Sequence, residues 1–271
     1  MKTSDRTRAD KYRTLLGGLR TLGKAVIAFS GGLDSTFLLH AARQALGDGV
    51  LAVTISTSYM AEAEVEEAER AARAMQAAHR IVEVPFPEVL RDNPPERCYI
   101  CKKALFSLLA QVAAAEEIGH VLDGTNLDDL DDYRPGLRAL GELGVKSPLL
   151  TAGLTKQEIR DLSREHGLPS WDKPAAACLL SRIPHGTRIE EAELRRIDQA
   201  EQFLKELGFT AVRLRSHGEL ARIEVPRGQV ADIVEADRRH GIDARLKSLG
   251  YRHVAVDLAG YRMGSLNVKT S

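Results

Sequence analysis

Apolar and polar positions follow two periods along this chain, and the changes between them mark out a series of helices and short buried strands. Tyr12, Leu15, Leu16, Leu19 and Leu22 recur at helical spacing, so the first twenty-odd residues read as an amphipathic helix ending at Gly23. Ala25 to Phe29 is a short apolar run, as expected of a strand buried on both faces, and Phe37, Leu38 and Ala41 open a helical stripe. Val50 to Ser56 repeats the strand pattern, followed by a helix with Val65, Ala68, Ala72 and Met75 on one face. Arg80 to Val84 gives a third strand. The stretch from Pro85 to Pro95 carries four prolines and reads as irregular. A helix with Leu105, Leu108, Leu109 and Val112 leads to a fourth strand, His120 to Asp123. This strand and helix rhythm predicts an α/β fold, a parallel sheet with helices on both faces.

Further along, Thr155-Lys156-Gln157-Glu158 has the form of a capping box, and its helix should stop at Gly167, with Pro169 beyond. The remainder reads as a smaller α+β region: helix Glu190 to Leu207, strands Ala211 to Arg215 and Leu220 to Val225, helix Arg227 to Leu249, strand His253 to Asp257. The expected boundary falls in or just after the proline-bounded loop Trp171 to Ile189, giving domains over 1–182 and 183–271. Glu201 lies in the apolar stripe of Leu194, Ile197 and Leu204, so its carboxylate needs a partner. Arg213 and Arg215 share one strand face, as do Arg222 and Glu224 on the next strand. That charged face is either solvated or a paired-arginine clamp for a phosphate.

Composition narrows the classes. With 271 residues, 44% of them hydrophobic, the chain can bury one large core or two modest ones. Lys plus Arg equals Asp plus Glu at 38 each, so no overall basic field drives non-specific nucleic-acid binding. The charged start M-K-T-S-D-R-T-R has no apolar signal region, and no uninterrupted apolar run approaches membrane-spanning length. The cytoplasm is the expected compartment. Three cysteines, Cys98, Cys101 and Cys178, cannot all pair within one chain, which points away from a disulfide framework and toward metal binding or catalysis.

The strongest chemical signal is K-A-V-I-A-F-S-G-G-L-D-S-T-F-L-L-H, from Lys24 to His40. Gly31 and Gly32 let backbone N–H groups approach an anion, the helix start near Asp34 adds unpaired N–H groups, and Ser30 and Ser35 add hydroxyls. No Lys-Ser/Thr follows at Walker spacing and no G-x-G-x-x-G occurs. The string S-G-G-x-D-S resembles the PP-loop of the ATP pyrophosphatase superfamily, which implies ATP binding and adenylation of a substrate with release of pyrophosphate. The fourth strand runs into D-G-T-N-L-D-D-L-D-D-Y-R-P-G, where open parallel sheets bind ligands, and Gly124 and Thr125 stand at its end. The aspartates of Asp128 to Asp132 read either as Mg²⁺ ligands through water or as a solvated loop.

Together with R-C-Y-I-C-K, W-D-K-P-A-A-A-C-L-L-S-R-I-P-H-G-T and V-R-L-R, these segments make nearly the whole chain resemble the ATP-dependent sulfur transferases of the LarE type. The resemblance implies adenylation of a carboxylate on a nicotinate-derived mononucleotide and replacement of its oxygen by sulfur, in the making of the nickel-pincer cofactor of lactate racemase. By position, Ser30, Gly31, Gly32, Asp34 and Ser35 match the PP-loop, and Cys178 matches the family's sulfur-bearing cysteine; Cys178 and Asp34 are the catalytic candidates. Ser181, Arg182, Arg213 and Arg215 match positions that hold the substrate phosphate, and Glu201, Glu224 and Asp232 match acidic residues of the second domain. Cys98 and Cys101, spaced C-x₂-C in an expected loop, make the chain resemble those members that hold a [4Fe–4S] cluster on three cysteines. Three uses of sulfur stay open: a three-thiolate cluster with one open iron, a sacrificial Cys178, or a persulfide or disulfide cycle at Cys98 and Cys101. The implied cofactors are ATP, Mg²⁺ and the cluster. The implied partners are a small-molecule mononucleotide, sulfide or a sulfur donor, and further copies of the chain in a homo-oligomer, without membrane or nucleic acid. A PP-loop tRNA thiolase and a non-catalytic nucleotide sensor are the competing readings.

Overall fold

A computed structural model describes residues 7–130, 135–174 and 177–261 and divides into two compact units. The first comprises residues up to Thr57, Glu62–Pro85 and Glu96–Ala175; the second comprises Ser58–Ala61, Phe86–Pro95 and the chain from Ala176 onward.

In the first unit the helices are α1 (Arg8–Arg20), α2 (Leu33–Leu46), α3 (Glu62–Ala74), α4 (Arg97–Ala115), α5 (Gly136–Glu142), α6 (Pro148–Thr151) and α7 (Lys156–Glu165). The strands are β1 (Ala25–Ala28), β2 (Val50–Ser56), β3 (Ala78–Glu83) and β4 (Val121–Leu122), all parallel in the order β3-β2-β1-β4. Side chains alternate across the sheet, and each face has its own core. Ala25, Ile27, Val50 and Ala52 pack with Leu15, Leu19, Phe37, Leu38, Ala68 and Ile159, while Val26, Val53 and Ile55 pack with Phe106, Leu109, Ala113 and Leu140. Each such fully buried Leu or Ile contributes about 1.5–3 kcal/mol relative to leaving it in water. This is the expected parallel sheet with helices on both faces. By length and composition α4 could cross a bilayer, but here it contributes Phe106 and Leu109 to the second of these cores.

The capping box at Thr155 forms in full: its hydroxyl accepts from the Glu158 N–H, and Glu158 accepts from the Thr155 N–H. Two local expectations are corrected. Cys98 and Cys101 lie in the first turn of α4 rather than in a loop, because the helical spacing of Leu105, Leu108 and Leu109 extends back as far as Arg97, just past Pro94 and Pro95.

The second unit holds α8 (Glu191–Glu206), β5 (Arg213–His217), β6 (Leu220–Glu224), α9 (Val230–His240), α10 (Ile242–Ser248) and β7 (His253–Val256). Strand β5 pairs antiparallel with β6, and β6 pairs parallel with β7. Here the second correction falls. The single helix expected over Arg227 to Leu249 is broken at Gly241, which adopts the left-handed conformation at φ 63° and closes α9 through its N–H to the Asp237 carbonyl.

Candidate active site

The strand order β3-β2-β1-β4 means that the chain leaves β1 toward one side and β4 lies on the other. The crevice at their carboxyl ends is where such sheets bind ligands. Ser30 to Gly32 follow β1 and Gly124 follows β4, so this geometry gathers the predicted loop residues. Ser30 and Ser35 share a hydrogen bond between hydroxyls at 3.1 Å, the Ser30 N–H donates to the Ser35 hydroxyl at 3.3 Å, and Ser35 donates to the Gly32 carbonyl at 3.3 Å. Gly32 caps α2 without a side chain, and the first backbone bond of the helix runs from the Thr36 N–H to the Gly32 carbonyl at 3.0 Å. The helix start is therefore a positive end without a side-chain cap, suited to an anion.

Both close glycines have a steric reason. Gly31 sits at φ 65°, and a Cβ there would come within 2.8 Å of the Ala68 backbone. A Cβ on Gly124 would lie 3.1 Å from the Ser35 nitrogen, over the amide at the start of α2. Gly31→Ala should thus destabilise the protein by at least about 1–2 kcal/mol from the left-handed conformation alone, with the contact to Ala68 added. A denaturation midpoint equal to wild type would contradict this.

Asp34 projects from the first turn of α2. Its Oδ1 accepts from Asn126 Nδ2 at 3.1 Å, and its Oδ2 stands 3.7 Å from Lys156 Nζ. Thr125 is brought to the same edge, but its hydroxyl donates to the carboxylate of Asp123, which also accepts from Ser147 at 2.5 Å. Asp128 accepts from the Lys156 N–H and Asp129 from the Asn126 N–H, each at 3.0 Å, so these two aspartates serve as backbone caps. Asp131 and Asp132 lie outside the described residues. Across the loop, Lys173 donates to the Gly31 carbonyl at 3.2 Å and pairs with Glu67 at 2.5 Å.

Sequence reasoning missed Asn126, Lys156 and Lys173. The available signal was the loop's own composition: S-G-G-L-D-S contains no cation, so a phosphate site there needs one from elsewhere in the chain.

The second unit gathers most of its predicted residues in one buried cluster. Arg182, Arg213, Arg215, Glu201 and Glu224 are all 1–6% exposed, which excludes the solvated face. Arg182 grips Glu201 two-pronged, Nε to Oε1 at 2.8 Å and Nη2 to Oε2 at 2.9 Å, and the Leu214 N–H adds a third bond to Glu201 at 2.9 Å. Arg215 donates through Nε and Nη2 to Glu224 at 3.0 and 2.7 Å, and through Nη1 to the Ser181 carbonyl at 2.8 Å. Arg213 stacks 5.0 Å from the Tyr261 ring. Burial holds the Arg213 guanidinium below its ordinary pKa, and the charge of Arg182 pushes the same way against the attraction of Glu201. For Glu201, burial alone would raise the pKa. The hydrogen bonds and charge of Arg182, the Leu214 N–H and the charge of Arg213 outweigh it and hold the carboxyl below the usual 4.5.

Cys178 precedes the short turn Leu179–Arg182 and is half-buried. Its carbonyl accepts from the Ser181 N–H at 3.1 Å, the Ser181 hydroxyl at 2.9 Å and Arg182 Nη1 at 3.2 Å. The Ser181 hydroxyl also accepts from Arg182 Nη1 at 2.8 Å. The arginine cluster thereby fixes the backbone that carries the thiol. Asp232 is exposed on α9, and among the described residues it has no ion pair with the cluster. In the first unit Cys98 is exposed and Cys101 half-buried, at i and i+3 on α4. Among the described residues, no three His, Cys, Asp or Glu side chains come together as a metal-binding group.

Comparison with known proteins agrees with this geometry. A family model described as queuosine biosynthesis protein QueC matches residues 24–94, the stretch that carries β1, the glycine loop and β2. An uncharacterised protein of Methanocaldococcus jannaschii is 31% identical over 88% of this chain and 91% of its own length. An uncharacterised protein of Synechocystis is 40% identical over 91% of this chain and 92% of its own. The pyridinium-3,5-bisthiocarboxylic acid mononucleotide synthase of Lactiplantibacillus plantarum is 36% identical over 96% of this chain and 95% of its own. With the glycine loop at the sheet's switch point and this likeness running from end to end, the chain belongs to the LarE-type, PP-loop family of pyridinium-3,5-bisthiocarboxylic acid mononucleotide synthase.

Proposed function

We propose that this protein is an ATP-dependent sulfur transferase that converts a carboxylate of a nicotinate-derived pyridinium dicarboxylate mononucleotide into a thiocarboxylate. The observation that carries the reading is the cradle at the end of β1, where an uncapped helix start, two close-packed glycines and two serine hydroxyls meet without a lysine in the loop itself. Such a site suits the pyrophosphate portion of ATP.

A carboxylate cannot be displaced by sulfide directly, because its oxygen is a poor leaving group. In the first step a carboxylate oxygen attacks the α-phosphorus of ATP. A carbon–oxygen–phosphorus linkage forms, the bond from the α-phosphorus to the bridging oxygen breaks, and pyrophosphate leaves. In the second step hydrosulfide attacks the carboxyl carbon, the carbon–oxygen bond to AMP breaks, and one proton is released. The N–H groups at the start of α2 and the hydroxyls of Ser30 and Ser35 stabilise charge that develops on the departing phosphates. Asp34, which accepts a hydrogen bond from Asn126, is the carboxylate that would meet the Mg²⁺ of Mg·ATP. Gly124 keeps the amide at the start of α2 open, and Thr125 follows it in the chain.

On this reading the first unit is the adenylation domain and the second holds the substrate through Ser181, Arg182, Arg213 and Arg215, ordered by Glu201 and Glu224; Asp232 lies in the same unit, on α9. Three buried guanidiniums in one cluster fit a phosphate dianion. Arg213→Ala should raise the KM for the mononucleotide by about 10- to 100-fold, the scale of one charge-assisted hydrogen bond, with less effect on kcat. An unchanged KM with only a lower melting temperature would assign Arg213 to the fold alone.

The donor set Cys98, Cys101 and Cys178 fits a [4Fe–4S] cluster by its chemistry: three thiols, two of them sharing one helix face at i and i+3. When bound with one iron open, such a cluster would supply sulfide for the second step. The chain's own contribution to that site is the backbone of Cys178, fixed by Arg182 and Ser181.

The test is the product pair. With Mg·ATP, a carboxylated pyridinium mononucleotide and no tRNA, the protein should release pyrophosphate and AMP. ADP and phosphate as products, or release that requires tRNA, would overturn the proposal.

A further inference from the structure

We infer that Thr54 and His79 are positioning residues for the phosphate cradle: through a chain of hydrogen bonds they set the plane of the peptide by which the backbone enters the glycine loop. The inference rests on the adenylation proposed above and adds two residues, on β2 and β3, that lie outside the loop and the helix after it.

Thr54 is a polar residue inside the apolar run V-L-A-V-T-I-S and is 1% exposed, so its hydroxyl needs partners. It has two. Oγ1 lies 2.7 Å from the Phe29 carbonyl oxygen and 2.8 Å from His79 Nε2. A carbonyl only accepts, so the hydroxyl proton goes to Phe29, and the hydroxyl oxygen must accept from His79. That order assigns the tautomer of His79 with its proton on Nε2. Burial holds the His79 pKa below its ordinary 6.5 against the weaker pull of Glu69, which keeps the ring in its neutral form. Phe29 meets the same ring edge-on, with centroids 5.8 Å apart at 85°, and so fixes its orientation.

The Phe29 carbonyl is where this chain of bonds meets the cradle. Strands β1 and β2 keep register as far as Ala28 and Val53, and the Phe29 N–H still donates to the Val53 carbonyl at 2.9 Å. The Phe29 carbonyl instead accepts from a side chain, that of Thr54. Because the peptide unit is planar and trans, holding the Phe29 oxygen also aims the Ser30 N–H on its opposite edge. That N–H donates to the Ser35 hydroxyl at 3.3 Å, which in turn stands 3.1 Å from the Ser30 hydroxyl. One series of contacts therefore runs from β3 through β2 and the Phe29–Ser30 peptide to both cradle hydroxyls, and bonds linked in this way polarise one another. Without the Thr54 hydroxyl that peptide is free to rotate, and the groups of Ser30 and Ser35 no longer converge on one phosphate.

Calorimetric titration of the full chain tests this, with Mg·ATP, inorganic pyrophosphate and the pyridinium mononucleotide as separate probes. Thr54→Val keeps the shape and removes the hydroxyl; it should weaken Mg·ATP and pyrophosphate by about 10-fold, the scale of one hydrogen bond, and leave the mononucleotide within about 2-fold. Thr54→Ser, which restores the hydroxyl, should recover most of the pyrophosphate affinity. His79→Phe keeps a ring against Phe29 and removes the donor, and should weaken pyrophosphate by about 3-fold or more, whereas His79→Gln, which restores an N–H donor, should stay within about 2-fold of wild type. Nitrogen NMR of the wild type should place the His79 proton on Nε2. If T54V binds pyrophosphate as tightly as wild type and merely melts lower, Thr54 serves the fold alone and the inference is wrong while the ATP reading stands. Equal weakening of the mononucleotide by T54V, or a His79 proton on Nδ1, would also overturn it. If wild type binds neither Mg·ATP nor pyrophosphate, the inference and the ATP reading are both wrong. Should T54V not fold, H79F against H79Q decides: equal pyrophosphate affinity in these two variants overturns the inference.

Discussion

Glu201→Ala is expected to lower stability by about 3–5 kcal/mol, the usual consequence of leaving one member of a buried ion pair behind. Glu201 is 1% exposed and Arg182 is 4% exposed, so no solvent replaces the lost carboxylate. The truncation removes two bonds to the guanidinium and the acceptor for the Leu214 N–H, which then stands unsatisfied at the second residue of β5. Arg182 would also lose what orients it over the Cys178 carbonyl, so activity should fall even where the protein remains folded. Titration gives the same pair a pH signature. The folded pKa of Glu201 is depressed below its ordinary 4.5, so its contribution is fully present above that value and fades as pH falls through the folded pKa. Wild type should therefore lose stability on acidification below about pH 4.5, and Glu201→Gln should show a flatter profile there. Denaturant midpoints of wild type and variant that run parallel from pH 7 to 3 would contradict the assignment.

Cys98→Ala is expected to abolish sulfur transfer while pyrophosphate release persists. On the three-thiolate proposal, anaerobically reconstituted C98A should lose iron, colour and thiocarboxylate formation together, because two remaining thiolates cannot replace a ligand set of three. On the proposed reading adenylation depends on the Ser30 to Ser35 cradle and should continue at a rate within several-fold of wild type. A sacrificial Cys178 gives a different outcome: C98A would complete one turnover and emerge lighter by the elements of hydrogen sulfide. Iron and sulfide analysis with intact mass of the same sample separates the two. Full thiocarboxylate yield from an iron-free protein lacking both Cys98 and Cys101 would overturn the cluster.

What could be read from the sequence follows from how local each determinant is. Strand β2 was legible to its ends because V-L-A-V-T-I-S is an apolar, β-branched run that starts just after Gly49. The glycine loop was legible because its residue types are demanded by close approach: Gly31 by Ala68 and Gly124 by the start of α2. Cys98 and Cys101 looked like loop residues because the prolines before them end only two residues upstream of α4, and helix boundaries are weakly encoded. The break at Gly241 was hidden by apolar spacing that continues through Ile233, Ile242 and Leu246 on both sides. Glu201 announced itself as a carboxylate in an apolar stripe, but its partner Arg182 comes from a loop before α8 and no local rule connects them. Lys156 and Lys173 were the least visible, since a surface lysine carries no pattern until the fold brings it to the loop.

The central claim is that a substrate carboxylate attacks the α-phosphate of ATP in the cradle at the end of β1. It is tested most directly by supplying the pyridinium mononucleotide with ¹⁸O in its carboxylates and following the label by mass spectrometry. The account predicts that one ¹⁸O appears in AMP, unlabelled pyrophosphate accompanies it, and sulfur takes the vacated position on the product. Label in inorganic phosphate with ADP as the nucleotide product, or AMP free of label, would contradict it.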